Sequence, residues 1–362
     1  MAQPAATSEL PQEPQDFSNV GRAPWHRRGI FATQTAYVAI ALIVVAIIMA
    51  IVSPNFATPE NIANIAKNFS FIAIATLGVT LVIITGGIDL SVGSVMAFAA
   101  IICSMTMDEL SQGALSPWFV HMVDGKAVAN VPGLIALISV LAGLLISALI
   151  GFANGFAIAK LGLSPFVTTL GMLSIVRGLA YVVTNGRGSF PSGPDADLFY
   201  AVTSGDIAGV PLAFIYLVIC ACLMGLVLHH SGFGRHVLAI GGNEKAAELT
   251  GVPVARVKIA VYVLCALSAG LNGIIICGWL GSAPANLATS FELNVIAAAV
   301  IGGANLAGGV GGPIGAVIGC VLLEIIRNGL VLAQVNAYWQ QTLVGCIIVL
   351  AVLVDRLRAR AA

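Results

Sequence analysis

The chain has 362 residues, no net formal charge, and a composition in which 59% of the residues are hydrophobic and only 9% are charged. Soluble domains carry roughly a quarter charged residues, so this composition excludes an ordinary soluble protein. Apolar runs long enough to cross a bilayer recur along almost the whole chain and leave no room for a second, soluble domain. No nucleic-acid partner is expected.

The pattern predicts an all-α, polytopic membrane helix bundle of about ten transmembrane helices. The predicted spans lie near 35–53, 66–85, 90–107, 132–158, 164–184, 210–229, 257–280, 293–309, 313–333 and 339–354. Residues 1–33 are predicted to form a disordered cytoplasmic tail, because their Pro- and Gln-rich sequence buries too little apolar surface to fold. Residues 34–356 form the predicted membrane domain, and 357–362 a basic cytoplasmic tail.

The distribution of Lys and Arg predicts the orientation of the chain in the membrane. If the N-terminus is cytoplasmic, the cytoplasmic segments collect most of the basic residues. The outer loops then hold only Lys67, Lys126, Arg187 and Arg327. Both termini are therefore predicted to be cytoplasmic.

One carboxylate, Asp89, lies inside the apolar stretch that contains "TGGIDLSVGS" at 85–94. Gly86 and Gly87 interrupt the helical run, and either Asp89 or Ser91 is suited to cap the helix that restarts after them. Such a break is tolerated at membrane depth only where protein or water satisfies the backbone. Two interpretations of Asp89 stay open, a structural cap and a charged group lining the pathway or gate.

The same pattern occurs again as "IGGANLAGGV" at 301–310, with Gly302, Gly303 and Asn305 in place of Gly86, Gly87 and Asp89. Two glycine-broken hairpins in equivalent places indicate an internally repeated transporter with its pathway between the repeats. Chance similarity stays an alternative, because glycine is abundant in tightly packed membrane bundles.

The largest predicted cytoplasmic loop is 230–258. Asn243 as N-cap, Glu244 in the first turn, Gly251 at the C′ position and Pro253 as a stop predict a helix of about two turns over 244–250. A helix this short is unstable alone and should be held by docking, so it is predicted to contact a cytoplasmic partner. An ordinary capped turn is the alternative.

Signatures of catalysis are missing from the sequence. There is no GxxxxGK[ST], HExxH or GxSxG motif, and the seven cysteines lie within predicted spans, so neither an enzyme nor a metal site is predicted. If the protein uses ATP, another chain must bind ATP and Mg²⁺. An ion-coupled secondary transporter of a small polar solute would explain the repeats. Such a transporter needs intramembrane carboxylates to carry the ion, and Asp89 and Glu324 provide only two. Glu324 and Arg327 are expected to pair with each other.

Several long segments resemble the membrane subunits of bacterial ABC importers of the ribose type, in the branched-chain permease-like family. They are "GGIDLSVGS", then "GFANGFAIAKLGLSPFVTTLGMLSIVRGLAYVVTNG" at 151–186, "GRHVLAIGGNEKAAELTGVPVARVKIAVY" at 234–262, "ELNVIAAAVIGGANLAGGVGG" at 292–312, and "RNGL" at 327–330. The similarity covers about residues 35–355.

The resemblance implies a permease subunit of the bacterial inner membrane that does no chemistry itself. Its implied partners are a second permease subunit, expected to be a copy of this chain, a cytoplasmic ABC ATPase and a periplasmic sugar-binding protein. The implied substrate is a monosaccharide such as a ribose-like pentose, a hexose or a sugar alcohol. Residues 243–251 would be the ATPase-coupling helix, with Asn243, Glu244, Lys245, Ala246, Ala247, Glu248 and Gly251 as the coupling residues.

The chain departs from the family pattern in four places, one of which is the absence of the Leu-Pro that often follows the coupling motif. Lys245 replaces a Glu of the coupling motif, Ala304 stands where a hydroxyl residue is more common, and Asn294 stands where an Asp is common. Besides Asp89, the candidates for contact with sugar hydroxyls along the pathway are polar residues in or at the ends of predicted spans. They are Asn154, Thr168, Thr169, Arg177, Asn272, Glu292, Asn294 and Asn305.

Overall fold

The computed structural model describes residues 34–336, together with Trp339, Thr342, Gly345 and Cys346. The helices of this part are α1 Gln34–Val52, α2 Pro59–Ile84, α3 Val92–Gln112, α4 Ser116–Phe119, α5 Leu134–Ala159, α6 Pro165–Thr184, α7 Ala196–Ser204, α8 Leu212–His230, α9 Gly232–Gly242, α10 Glu244–Leu249, α11 Val254–Leu280, α12 Phe291–Ile301 and α13 Pro313–Leu332. Two antiparallel hairpins join β1 Val120–Val123 to β2 Lys126–Ala129, and β3 Asp206–Ile207 to β4 Val210–Pro211. The bundle is helical as predicted, whereas the hairpins were not predicted.

Eight helices are long and apolar enough to cross a membrane, namely α1, α2, α3, α5, α6, α8, α11 and α13. They confirm eight of the predicted spans. The predicted span at 293–309 is wrong, because α12 has only 11 residues and is about 16 Å long, against the roughly 30 Å of the hydrocarbon core. The predicted span at 339–354, like the tails 1–33 and 357–362, lies outside the continuous range that the structure describes.

The centre of the bundle is formed by α2, α3 and α11, while α1, α6 and α8 expose most of their apolar surface. Glycines let these helices approach closely. A Cβ at Gly273 of α11 would overlap the backbone of Met96 on α3, and one at Gly151 of α5 would crowd the backbone of Tyr262 and Val263. Close approach through small residues is the usual way that membrane helices associate.

The two ends of the bundle differ. One end carries α9 and α10, and we call it the α10 face. The other carries the β1–β2 hairpin and α7, and we call it the hairpin face. On the hairpin face the carboxylate of Asp195, which precedes α7, accepts the N–H groups of Gly133 and Ile135 at 3.0 Å each, so the loop before α7 holds the start of α5.

Two basic residues expected in outer loops lie in helices, and the loop 230–258 contains more helix than expected. Lys67 lies within α2, not in a loop, and its Nζ is 5.0 Å from the centroid of the Trp279 ring. Arg327 lies within α13, where Nε and Nη2 each donate to the Glu324 carboxylate at 2.8 Å, so the predicted pair is confirmed. The loop 230–258 contains a second helix, α9, that was not predicted from the sequence.

Candidate functional site

The first helix break follows α2 and is closed by its own backbone. Gly86 donates to Ile83 O at 2.9 Å, and Gly87 donates to Val82 O at 3.0 Å. This pattern needs a left-handed residue just past the helix, and Gly86 supplies it with a φ of +74°. The predicted break at Gly86 and Gly87 is therefore present, and it satisfies the last carbonyl groups of α2.

Asp89 forms the turn that leads into α3. Its side chain is almost completely buried, and its Oδ1 accepts the N–H of Ser91 at 2.8 Å and the hydroxyl of Ser91 at 2.6 Å. A bond from an Asp side chain to the backbone two residues later is an Asx turn, which stands in for a backbone turn. Ser91 occupies the N-cap position but makes no side-chain capping bond. Of the two predicted capping residues, Asp89 thus carries the backbone bond.

Three other helices hold this break in place. From α5, Asn154 Nδ2 donates to Ser91 Oγ at 3.0 Å. From α6, Thr169 Oγ1 donates to Pro165 O at 2.8 Å and lies 3.4 Å from Ile88 O. From α11 the Tyr262 hydroxyl donates to Ile88 O at 3.3 Å. The structure therefore brings together Asp89, Asn154 and Thr169 among the predicted pathway residues. Tyr262 was missed, because a tyrosine in an apolar helix carries no distinctive signal in the sequence.

The second break, after α12, repeats both local motifs. Gly303 donates to Val300 O and Ala304 donates to Ala299 O, each at 2.9 Å, with φ of +100° at Gly303. Asn305 Oδ1 then accepts the N–H of Ala307 at 2.9 Å, which is the counterpart of the bond from Ser91 to Asp89. Both motifs predicted from 85–94 thus occur in 301–310, but the left-handed glycine is Gly303 and not the predicted Gly302, one residue later than the alignment with Gly86 implies. The second turn is also exposed, and α13 starts only at Pro313.

The two breaks meet each other on the α10 face. Gly309 N–H donates to Ile84 O at 2.9 Å, so the loop after α12 is bonded directly to the end of α2. Beside this contact lies a cavity of 460 Å³. It is lined by Thr85, Gly86, Gly87, Ile158, Pro165, Ile240, Gly241, Gly242, Asn243, Glu244, Lys258, Tyr262 and Ala307.

The predicted helix at 244–250 is confirmed as α10, and it is capped as expected. Asn243 Oδ1 accepts the N–H of Ala246 at 3.0 Å. At the other end Gly251 has a φ of +87° and donates to Glu248 O at 3.0 Å. Glu244 also pairs with Lys258 of α11, with both carboxylate oxygens 2.7 Å from Nζ. These bonds hold a helix that would be unstable on its own.

The residues of α10 point in different directions. Ala247 is buried against the bundle, whereas Lys245, Ala246 and Glu248 are exposed. Leu249, the last residue of α10, is 89% exposed. Sequence reasoning did not single out Leu249, because a lone apolar residue in a short helix is expected to point inward.

Of two charged candidates, Arg177 supports a loop and Glu292 lies against α3. Arg177 Nη1 donates to Ala285 O at 2.8 Å and to Leu287 O at 2.7 Å, so it holds the segment that precedes α12. Glu292, in the first turn of α12, is half-buried, and its carboxylate lies where a Cβ at Gly93 would be. The segment 281–290 consists mainly of turns and is bonded to Arg177 ahead of α12. Of the predicted span at 293–309, the part up to Ile301 is helical and the rest forms the second break.

The remaining candidates lie elsewhere. Asn272 is wholly buried and donates to Phe71 O at 2.6 Å. It is ten residues from Tyr262 along α11, or about 15 Å, so it bridges α11 and α2 away from the breaks. Thr168 and Asn294 are partly buried on α6 and α12. Across the described residues, no group of three His, Cys, Asp or Glu side chains could hold a metal ion.

The eight membrane-length helices and the two helix breaks that meet on the α10 face are typical of a multi-pass membrane transporter. The chain belongs to the family described as "Branched-chain amino acid transport system / permease component", whose model matches residues 61–352.

Curated relatives cover most of the chain. It is 39% identical to the ribose import permease protein of Escherichia coli K12 over 87% of this chain and 92% of that protein. It is 34% identical to the galactose/methyl galactoside import permease protein of Haemophilus influenzae over 90% and 94% of the two chains. It is 35% identical to the L-arabinose transport system permease protein of Escherichia coli K12 over 86% and 87%. No solved structure was found to match the chain.

Proposed function

We propose that this protein is the membrane-spanning permease subunit of an ATP-driven ABC importer, which moves a monosaccharide from the periplasm to the cytoplasm. The observation that carries the proposal is the similarity along nearly the full length to permeases named for ribose, galactose and arabinose import. The family description names branched-chain amino acids, but the relatives that we report are all named for sugars. A ribose-like pentose, a hexose or a sugar alcohol is the proposed substrate class.

The hydrogen bonds and ion pair made by the buried charged side chains favour an uncharged, hydroxyl-rich solute. Asp89 is bonded to Ser91, Arg177 to two backbone carbonyls, and Glu324 to Arg327. Charged groups that are already engaged in this way are poorly placed to bind a zwitterion or to carry a coupling ion. The ion-coupled alternative therefore finds no support in these groups or in the names of the relatives.

The conformational change driven by ATP would reach this subunit through α10. Its exposed surface, with Leu249 at its end, would dock on a cytoplasmic ATPase that binds ATP and Mg²⁺, so this subunit would need no cofactor and do no covalent chemistry. The proposed coupling residues are Asn243, Glu244, Lys245, Ala246, Ala247, Glu248 and Gly251. Exposed Lys245 and Glu248 would contact the ATPase, while Asn243, Gly251 and buried Ala247 would hold the helix in shape.

The α10 face would be cytoplasmic, with both termini on that side of the bacterial inner membrane. The distribution of Lys and Arg along the sequence supports this orientation. A periplasmic sugar-binding protein would dock on the hairpin face, and a second copy of the chain would complete the pathway. Asn154, Thr168, Thr169 and Asn294 would supply weak polar contacts along the pathway, with Asp89 and Asn305 shaping its inner gate. Arg177 and Glu292 would position the loop 281–290.

Uptake in cells tests the substrate class. The gene would be deleted from its host, and uptake of radiolabelled ribose, galactose, arabinose and leucine would be measured at micromolar concentration. We expect the deletion to abolish high-affinity uptake of one of the sugars and to leave leucine uptake unchanged. Loss of leucine uptake with normal sugar uptake would contradict the proposed substrate class.

A further inference from the structure

Gly241, the second-last residue of α9, lies where three parts of the molecule meet. A Cβ built at Gly241 would overlap Ile84 O, at the end of α2, and would also overlap Gly309 N, in the loop after α12. Those two atoms are the acceptor and the donor of the 2.9 Å hydrogen bond that joins the two breaks. The backbone of α9 therefore touches the junction between the breaks, and only a residue without a side chain allows that contact.

The contact continues on both sides of this bond. A Cβ at Gly308 would lie 2.8 Å from Gly241 O and 3.1 Å from Gly86 N. Gly86 is the left-handed residue of the first break, and Gly308 belongs to the second. One residue of α9 is thus in contact with both breaks at once.

A continuous backbone connects Gly241 to α10. Ser231 Oγ accepts the N–H of Gly234 at 3.0 Å and so caps the start of α9. At its end, the Asn243 N–H donates to Ala239 O at 3.1 Å, while the Asn243 side chain caps α10. Asn243 is therefore bonded to α9 through its backbone and caps α10 through its side chain. A displacement of α10 consequently moves the end of α9 with it.

The cavity beside Gly241 gives this junction room to move. Its 460 Å³ are bounded by Gly241, Gly242, Asn243 and Glu244 on one side and by Gly86, Gly87 and Ala307 of the two breaks on the other. Packed interiors resist movement because every displacement creates an overlap. Here the backbone at Gly242 has free space beside it, while Gly241 is already in contact with both breaks.

We propose that Gly241 is the positioning residue through which movement of α10 is passed to both helix breaks together. The proposal rests on the proposed function, because it needs α10 to be moved by an ATPase. Gly241 itself contacts no substrate. Its role is to keep the backbone of α9 against the bond between Ile84 and Gly309, so that both breaks respond to the same displacement.

The neighbouring glycine provides a matched control. A Cβ at Gly242 would have no atom within 4 Å, and both residues lie in α9 with no left-handed φ at either. Alanine raises helix propensity equally at both positions. Gly241→Ala and Gly242→Ala therefore differ mainly in whether the new methyl group pushes α9 away from the breaks.

The experiment uses the full complex in proteoliposomes, with the ATPase and the binding protein that the proposed function requires. The substrate is whichever of ribose, galactose and arabinose the wild type takes up fastest. Uptake and ATP hydrolysis are measured together, with thermal stability and co-purification of the ATPase as assembly controls. We expect Gly241→Ala to lower uptake per ATP hydrolysed about tenfold, the change that about 1.4 kcal/mol of overpacking produces. Gly242→Ala should keep the wild-type ratio, and both variants should assemble.

An unchanged ratio in Gly241→Ala would overturn the proposal. If Gly241→Ala fails to assemble, the proposal is tested with a double variant that carries Gly242→Cys and Ala307→Cys. Both positions are exposed on the walls of the cavity. Bismaleimides of increasing length tether the two cysteines, and the tether should block uptake while leaving ATP hydrolysis measurable. Full uptake by the tethered protein would refute the proposed role of Gly241. A wild type that takes up no sugar with ATP would instead refute the proposed function.

Discussion

Substitution of Asp89 separates the two interpretations of this carboxylate. Asp89→Ala removes the acceptor of two buried hydrogen bonds, from the N–H and the hydroxyl of Ser91. Bonds to a charged acceptor contribute about 1.5–3 kcal/mol each, so the loss is about 3–6 kcal/mol for the turn that starts α3. Asp89→Asn keeps an acceptor oxygen in the same place. Because it also removes the desolvation of a buried charge, we expect it to cost about 1 kcal/mol.

Uptake and stability together form the assay for these variants. Thermal unfolding in detergent and amide exchange at Ser91 report on the turn, and sugar uptake reports on function. We expect Asp89→Asn to keep most uptake and near-normal protection of the Ser91 amide, and Asp89→Ala to lose both. If Asp89→Asn folds normally but transports as poorly as Asp89→Ala, the charge itself is needed, and the structural account of Asp89 is refuted.

Three further predictions follow from contacts on the two faces. Leu249→Asp should leave the thermal unfolding temperature unchanged, because the side chain is exposed. It should abolish co-purification of the ATPase, and normal co-purification would show that Leu249 is not part of the docking surface. A cysteine at Lys126, in the β1–β2 hairpin, should react with an impermeant thiol reagent from outside the cell, and one at Ala246 only after permeabilisation, whereas the reverse pattern would invert the orientation. Arg177→Leu leaves two carbonyls without their donor and should destabilise the protein by about 2–3 kcal/mol, while a raised KM at unchanged stability would make Arg177 a substrate contact.

The parts of the fold that were predicted correctly depend on local chemistry. The breaks at Gly86 and Gly303 and the caps at Asn243 and Gly251 need particular residue types at fixed spacings, so the sequence itself carries the signal. Long apolar runs likewise identify spans, because crossing a bilayer requires a minimum length. Even the pair between Glu324 and Arg327 follows from helical spacing.

The parts that were missed depend on contacts between distant segments. The span expected at 293–309 is a short helix that ends at Ile301 and is followed by the second break. The turns that precede this helix are held by a pair of bonds from Arg177, more than 100 residues earlier in the chain. Apolar composition does not distinguish such a segment from a continuous helix. The crowding at Gly241 is equally invisible in the sequence, since Gly241 and Gly242 look alike and only one of them touches the breaks.

The central claim, that ATP drives sugar through this subunit, is tested most directly in proteoliposomes that contain the chain, its ATPase and its binding protein. Radiolabelled sugar would be offered outside with ATP enclosed within, and in parallel with an imposed proton or sodium gradient and no ATP. The account predicts vanadate-sensitive accumulation that requires ATP and the binding protein and is indifferent to either gradient. Accumulation driven by an ion gradient without ATP would contradict it.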